Sequence, residues 1–175
     1  MGDGDDFLHV RGTRTNWLVG NDGDDTLRSD NGDSFIFGGD GDDEIHGSRD
    51  HLNETDWLSG GAGNDTIYTH GGEATISGGT GDDVLISRHG ALNDEDTFVF
   101  ELHNNDDFGI DIIRNFSTID DVIILSHGDG PIVPVNFTSA IVGNDVVISV
   151  EGNSGLIIIE DVASSWTDDL VGFYF

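Results

Sequence analysis

A nine-residue pattern recurs through the first 99 residues of this chain and constrains its fold more than any other feature. The pattern reads G-G-x-G-x-D-x-U-x, where U is a large aliphatic residue, and complete copies begin at Gly38, Gly60 and Gly78. Two further copies, beginning at Gly20 and Met1, each depart from the pattern at one position. A repeat of this period predicts a solenoid, in which each copy forms a unit that stacks on the next.

Five weaker copies alternate with these five regular copies. They occupy residues 11–19, 29–37, 51–59, 69–77 and 91–99, and they have lost most of their glycines. Their eighth position nevertheless stays apolar, as it does in the regular copies. The ten eighth positions are Leu8, Leu18, Leu27, Ile36, Ile45, Leu58, Ile67, Ile76, Leu85 and Phe98. This spacing predicts one inward-facing side chain in each of ten short stacked strands.

The alternation of the two kinds of copy predicts a roll with unequal edges. Glycines at positions one, two and four allow a tight turn over the first six residues, and the last three residues form a strand. Two copies therefore make one coil, and alternate copies lie on the same edge. The insertions at Val10, Gly47 to Asp50 and Ser87 to Gly90 all precede weak copies. We expect one regular edge and one edge with looser and longer loops.

The charge of the chain shows that the turns need a partner. The chain has 35 acidic residues and only 6 basic ones, which gives a net charge of -29, and it has no cysteine. Such a charge excludes unaided nucleic-acid binding and argues against docking on anionic lipid. Neither a transmembrane segment nor an N-terminal signal peptide is expected. Stacked turns would place aspartate against aspartate, and oxygen ligands of this kind select calcium over magnesium or zinc.

The repeat resembles the calcium-binding nonapeptide of the RTX (repeats-in-toxin) family. That resemblance implies an all-β fold, a right-handed parallel β-roll of nonapeptide repeats capped by a C-terminal antiparallel β segment. It also implies that calcium lies between turns stacked on one edge, bound by the aspartate at position six and by nearby backbone carbonyls. The position-six aspartates of the regular copies are Asp6, Asp25, Asp43, Asp65 and Asp83. Further candidate residues in the same turns are Gly20, Asp22, Gly23, Asp24, Gly38, Gly39, Asp40, Gly41, Asp42, Gly60, Gly61, Ala62, Gly63, Asn64, Gly78, Gly79, Thr80, Gly81 and Asp82.

Five stacked turns on the regular edge predict about four calcium ions or more. Family members with a regular repeat bind calcium on both edges. The loss of glycines from the weak copies therefore allows more than one interpretation of the weak edge. Its loops either bind additional ions or are ordinary acidic loops, and their Arg and His residues also fit a ligand-contact surface. The weaker metal candidates are Asn53, Glu54, Asp56, Asn93, Asp94 and Asp96, together with Asp111 and Asp121 beyond the repeats.

The composition changes after residue 99. Glycines fall from 19 in residues 1–99 to 7 in residues 100–175. We therefore expect a calcium-binding roll over residues 1–99 and a β cap over residues 100–175, since solenoids need covered ends. The acidic and then hydrophobic stretch from Trp166 to Phe175 resembles the C-terminal signal for type I secretion that the family carries. It also fits a final strand of the cap.

The sequence indicates a module without a catalytic site, because the motifs of common hydrolases, zinc enzymes and nucleotide-binding loops are absent from it. We expect a secreted bacterial calcium-binding module that folds outside the cell and supports the type I secretion and stability of a larger polypeptide. One alternative is calcium-dependent binding of an anionic polysaccharide, as in the R-modules of mannuronan epimerases, with Arg49, Arg88 and Trp57 as ligand-binding candidates. Another is the detached tail of a protease, lipase or toxin.

Overall fold

The computed structural model describes residues 2–49, 54–88, 95–102, 108–126, 136–162, 164–168 and 171–174. These residues form sixteen β-strands, and no helix among them is long and apolar enough to span a membrane. The strands of the repeat region are β1 (Phe7–Val10), β2 (Asn16–Asp22), β3 (Thr26–Ser29), β4 (Ser34–Asp40), β5 (Glu44–His46), β6 (Thr55–Ala62), β7 (Thr66–Tyr68), β8 (Glu73–Thr80), β9 (Val84–Ile86) and β10 (Thr97–Glu101). The remaining strands are β11 (Ile110–Arg114), β12 (Val122–Ser126), β13 (Phe137–Val142), β14 (Asp145–Val150), β15 (Leu156–Ile159) and β16 (Val171–Tyr174).

Successive strands alternate between two facing sheets. The first sheet has the order β1-β3-β5-β7-β9-β11-β15-β14-β13, and the second has the order β16-β12-β10-β8-β6-β4-β2. Regular copies therefore supply β1, β3, β5, β7 and β9 of the first sheet, and weak copies supply β2, β4, β6, β8 and β10 of the second. All neighbours within these two series pair in parallel. The parallel β-roll expected from the repeat is confirmed.

The core is a double column of position-eight side chains. In the first sheet Leu27 pairs with Ile45, and Ile45 pairs with Ile67. In the second sheet Leu18 pairs with Ile36 in the same way. These side chains are fully buried, because each inward residue meets the column of the opposite sheet. Burial of a side chain of this size stabilises the fold by about 1.5–3 kcal/mol, so each coil gains little from its own apolar residues.

The two edges of the roll are the places where the chain passes between sheets. Regular copies turn at residues 23–25, 41–43, 63–65 and 81–83, and we call this the regular edge. Weak copies turn on the opposite side, which we call the weak edge. The connections after β3 and β7 lie there, as do the longer ones after β5 and β9. The structure thus separates the two kinds of copy as the alternation predicts.

Beyond residue 99 the roll continues before it is closed. Strand β11 pairs in parallel with β9 and β15, and β12 pairs in parallel with β10 and β16. The expected antiparallel segment is present, and it consists of β13, β14 and β15. Strand β16, within the stretch that resembles a secretion signal, is the last strand of the second sheet.

Candidate functional site

A ladder of aspartates runs along the regular edge, with one residue from each turn. The backbone N–H of each aspartate donates to Oδ1 of the next, for example from Asp43 to Asp65 and from Asp65 to Asp83, both at 2.8 Å. The side chains are at most 2% exposed from Asp25 onward. The ladder consists of Asp6, Asp25, Asp43, Asp65, Asp83 and Asp111. It therefore places the five position-six aspartates in one column and adds a sixth residue from outside the repeats.

The second carboxylate oxygen of this ladder has no donor. Buried polar groups are normally hydrogen-bonded, and a buried group without a partner costs about 1–3 kcal/mol. Repetition of the same unpaired oxygen in successive coils indicates a bound group rather than a packing fault. The buried Oδ2 atoms that accept no hydrogen bond belong to Asp25, Asp43, Asp65, Asp83 and Asp111.

A glycine at position one makes room beside the Oδ2 atoms of Asp25, Asp43, Asp65 and Asp83. A Cβ atom on Gly38 would overlap Oδ2 of Asp43 and would lie 2.6 Å from the carbonyl oxygen of Gly60. A Cβ atom on Gly60 would likewise overlap Oδ2 of Asp65 and lie 2.5 Å from the carbonyl oxygen of Gly78. One carboxylate oxygen and one carbonyl oxygen of the next coil thus converge on a space that only glycine leaves open.

Burial makes the ladder electrostatically unfavourable on its own. It raises the pKa of Asp43 and Asp83 to about 6, that of Asp65 to about 7 and that of Asp111 to about 8. Neighbouring carboxylates of the same edge contribute to these raised pKa values, and hydrogen bonds from backbone N–H groups offset part of the rise for Asp43 and Asp65. A ladder of ionised carboxylates therefore requires a counter-charge within the edge.

The donor set fits a calcium ion. Among the residues that the structure describes, no three His, Cys, Asp or Glu side chains converge on a common point. The spaces beside Gly20, Gly38 and Gly60 offer carboxylate and backbone carbonyl oxygens. Such oxygen sets, flexible and high in coordination number, favour calcium over zinc or the strictly octahedral magnesium.

A model of the RTX calcium-binding nonapeptide repeat matches residues 15–51 and 53–85, as four copies. The chain carries RTX repeats. These repeats are calcium-binding, and the matched residues include Asp25, Asp43, Asp65 and Asp83 of the ladder. The suspected family is confirmed. No curated protein matches the chain.

The chain is also similar to several solved structures. The AlgE6R2 subunit of the Azotobacter vinelandii mannuronan C5-epimerase is 25% identical, with a TM-score of 0.50 over 75% of this chain and 88% of that one. The AlgE6R3 subunit is 23% identical, with a TM-score of 0.34 over 98% and 80%. The extracellular lipase LipA from Serratia marcescens is 21% identical, with a TM-score of 0.49, and the match covers 97% of this chain but 38% of the lipase.

At other positions of the RTX turns, oxygen atoms accept hydrogen bonds from backbone N–H groups. The position-five side chains form an outer, exposed ladder, in which Oδ1 of Asp24 accepts the N–H of Asp42 at 2.9 Å and Oδ1 of Asn64 accepts that of Asp82. The position-three carbonyls accept an N–H from the neighbouring coil. These carbonyls belong to Asp22, Asp40, Ala62 and Thr80. Their side chains are exposed, so the inner position-six oxygens are the ones left without a donor.

The weak edge satisfies its carboxylates with protein donors. Oδ1 of Asp56 accepts the N–H of Ser34 at 2.9 Å, and Oδ2 accepts the N–H of Ser48 at 2.6 Å. Both oxygens of Asp96 also accept hydrogen bonds, as do both of Asp121. Glu54 accepts from the N–H of Gly32 and the hydroxyl of Ser48. Asn53, Asn93 and Asp94 lie outside the described residues.

The three ligand-binding candidates do not share one surface. Arg88 lies over the ring of Tyr68, with its guanidinium carbon 5.0 Å from the ring centroid, beside the first sheet. Arg49 is exposed in the loop after β5. Trp57 projects from the second sheet, where it lines a groove of about 460 Å³ with Phe37 and Glu101. The structure therefore does not bring Trp57 together with Arg88.

Sequence reasoning missed a stack of rings on the outer surface of the first sheet. His46 stacks on Tyr68 with ring centroids 4.7 Å apart, and Nδ1 of His46 lies 3.1 Å from Nε2 of His70. His46 and Tyr68 occupy position nine of successive regular copies, so the repeat spacing itself carried the signal. Asp111 was already a weaker metal candidate, and the same frame places it in the ladder, because Gly109, Asp111 and Ile113 match positions four, six and eight.

Proposed function

We propose that this chain is a non-catalytic RTX module that folds when calcium binds outside the cell. The observation that carries the proposal is the column of buried Oδ2 atoms without donors, three of which lie beside a glycine carbonyl of the next coil: those of Asp25, Asp43 and Asp65. Asp25, Asp43, Asp65 and Asp83 would hold the ions through these oxygens. Calcium supplies the positive charge that the ladder lacks, and an ion that binds the native state stabilises it by RT ln(1 + [L]/Kd) at each site.

The proposal assigns different roles to the two edges. On the weak edge Asp56, Asp96 and Asp121 accept hydrogen bonds from the protein with both oxygens, so these carboxylates hold their loops without an ion. On the regular edge one oxygen of each aspartate orders the backbone and the other is left for calcium. About four ions or more, at +2 each, would offset at least about a quarter of the net charge of -29.

Calcium-dependent folding fits a role in type I secretion. Sites in the ~10⁻⁴–10⁻³ M class typical of extracellular modules stay empty in the cytosol and fill outside. An unfolded chain can thread through a secretion channel, and the folded roll then stabilises the larger secreted polypeptide. Residues 166–175 would be read before folding, because afterwards β16 is paired with β12.

Two experiments test the proposal. Circular dichroism in EDTA and then in millimolar calcium should show a disordered chain that becomes β-structured, and a chain already folded in EDTA would refute it. Export of a passenger fused to this chain, by cells with a type I apparatus, should stop when residues 166–175 are deleted. Export that persists after the deletion would refute the secretion role alone.

A second candidate function is calcium-dependent binding of an anionic polysaccharide. It is favoured by the stacked rings of His46, Tyr68 and His70 with Arg88 against them, since this surface combines flat rings with a positive charge. The fold likeness to a subunit of a mannuronan C5-epimerase supports it. Calorimetry with polymannuronate in calcium should show binding that is lost in Tyr68→Ala with Arg88→Gln. Binding lost instead in Trp57→Ala would place the ligand on the second sheet, and no binding would refute the candidate.

A further inference from the structure

The stretch from Phe108 to Ile113 occupies the place of a sixth regular copy, although it lies outside the repeat region. Strand β11 pairs in parallel with β9, so Ile113 stacks on Leu85 in the core column. Gly109 has a φ of +84°, and its Cα packs against the carbonyl of Gly81. The same relation joins Gly81 to Gly63 one coil earlier. The backbone therefore repeats the geometry of an RTX turn without the full RTX sequence.

Both hydrogen-bonded ladders of the regular edge continue into this stretch. Oδ1 of Asp111 accepts the N–H of Asp83 at 2.9 Å, as Oδ1 of Asp83 accepts that of Asp65 at 2.8 Å. In the outer ladder, Oδ1 of Asp82 accepts the N–H of Ile110 at 2.8 Å. The position-six ladder therefore consists of six aspartates with five intervals between them. The last interval joins the final RTX repeat to the C-terminal segment.

The last interval combines two buried carboxylates that lie close enough to interact directly. Asp83 and Asp111 are each 1% exposed, and no protein group donates to Oδ2 of either. Two adjacent buried carboxylates cannot both ionise without a cation between them.

We propose that Asp83 and Asp111 share a calcium ion, which makes a fifth site on the regular edge. The inference rests on the proposed function, because it extends the same ladder by one interval. Its consequence is specific to the C-terminal segment. Strand β11 would be ordered by the ion as well as by its pairing with β9 and β15, so calcium would couple folding of the segment to folding of the repeats.

The test compares the number of calcium ions bound by the wild-type chain and by Asp111→Asn. Equilibrium dialysis of the full chain should show one ion fewer in this variant. Hydrogen exchange measured on the same variant should be faster for the backbone amides of β11 at the same calcium concentration. Asp120→Asn is the matched control, since Asp120 lies in the same segment and, among the residues that the structure describes, its carboxylate accepts only a long hydrogen bond of 3.5 Å from the hydroxyl of Ser117. The control should bind as many ions as the wild type.

Equal ion counts in Asp111→Asn and the wild type would overturn the fifth site and leave the proposed function intact. A wild-type chain that binds no calcium would overturn both. If Asp111→Asn does not fold, the fifth site is tested instead by anomalous diffraction from wild-type crystals soaked in terbium. A peak between Asp83 and Asp111 supports the site, and peaks at the four earlier intervals without this one overturn it.

Discussion

Oδ1 of Asp65 accepts the backbone N–H of Asp43 at 2.8 Å, whereas Oδ2 of the same carboxylate is buried and accepts no hydrogen bond. One side chain thus divides its two oxygens between two tasks. The first oxygen fixes the stagger of adjacent coils. The second faces the glycine column, where we place calcium, so folding of the backbone and binding of the ion depend on the same group.

Substitution of Asp65 by Asn should remove one calcium site and destabilise the roll. The side-chain amide oxygen of Asn can still accept the hydrogen bond from the N–H of Asp43. The substitution removes the negative charge that faces the calcium ion. Removing one partner from a buried charge pair costs about 3–5 kcal/mol, so urea unfolding in saturating calcium should show a loss of this order. Asp42→Asn is the control, because Asn64 already fills the same outer column. It should cost less than about 1 kcal/mol. Equal losses in both variants would contradict the division of roles.

Substitution of Gly60 by Ala should abolish binding at one interval by filling its space. The added Cβ would overlap Oδ2 of Asp65 and lie 2.5 Å from the carbonyl oxygen of Gly78. The calcium concentration at the midpoint of folding should therefore rise, as followed by circular dichroism. Gly2→Ala is the control, since no atom lies within 4 Å of the added Cβ there. An unchanged midpoint in Gly60→Ala would show that the space does not hold the ion.

Substitution of Asp56 by Asn should destabilise the chain without changing the number of calcium ions. Its two oxygens accept N–H groups from Ser34 and Ser48, and an amide can accept only one of these bonds. A buried N–H left without an acceptor costs about 1–3 kcal/mol. Thermal unfolding should detect the loss, and equilibrium dialysis should give the wild-type ion count. Loss of an ion in this variant would show that calcium also binds the weak edge.

Stability should fall below neutral pH because of His70. Burial first, and then the charge of His46, lowers the pKa of His70 to about 4 from its ordinary value of 6.5. The folded chain therefore binds fewer protons than the unfolded chain between these values. This contribution is fully present above pH 6.5 and is lost progressively as the pH falls toward 4. The measurement is the melting temperature in saturating calcium, and His70→Gln should show a shallower decline. Parallel curves would contradict the assignment.

The repeat period explains how much of this structure follows from the sequence. A residue that holds the same position in every second copy must return to the same column, so Ile45 and Ile67 in the core and Asp43 and Asp65 at the edge could be predicted. The partners of Asp56 could not, because Ser48 lies in an insertion that breaks the period. The domain boundary at residue 99 and the individual calcium ligands stay predictions.

The C-terminal segment shows a second limit of sequence reasoning. The sequence makes Asp111 only a weaker metal candidate, because Gly109, Asp111 and Ile113 match just part of the nonapeptide and an acid at a strand end is the ordinary alternative. The structure supplies that coil, through the pairing of Ile113 with Leu85 and the bond from Asp83 to Asp111. Long-range stacking, rather than local composition, makes Asp111 part of the ladder.

Calorimetric titration of the calcium-free chain tests the central claim most directly, because it counts the ions and records folding together. Six aspartates in one ladder leave five intervals, and the opposite edge fills its carboxylates with protein donors. We therefore predict five ions, with binding and folding at the same calcium concentration. Eight or more ions would show that both edges bind calcium, and no bound ion would contradict the account as a whole.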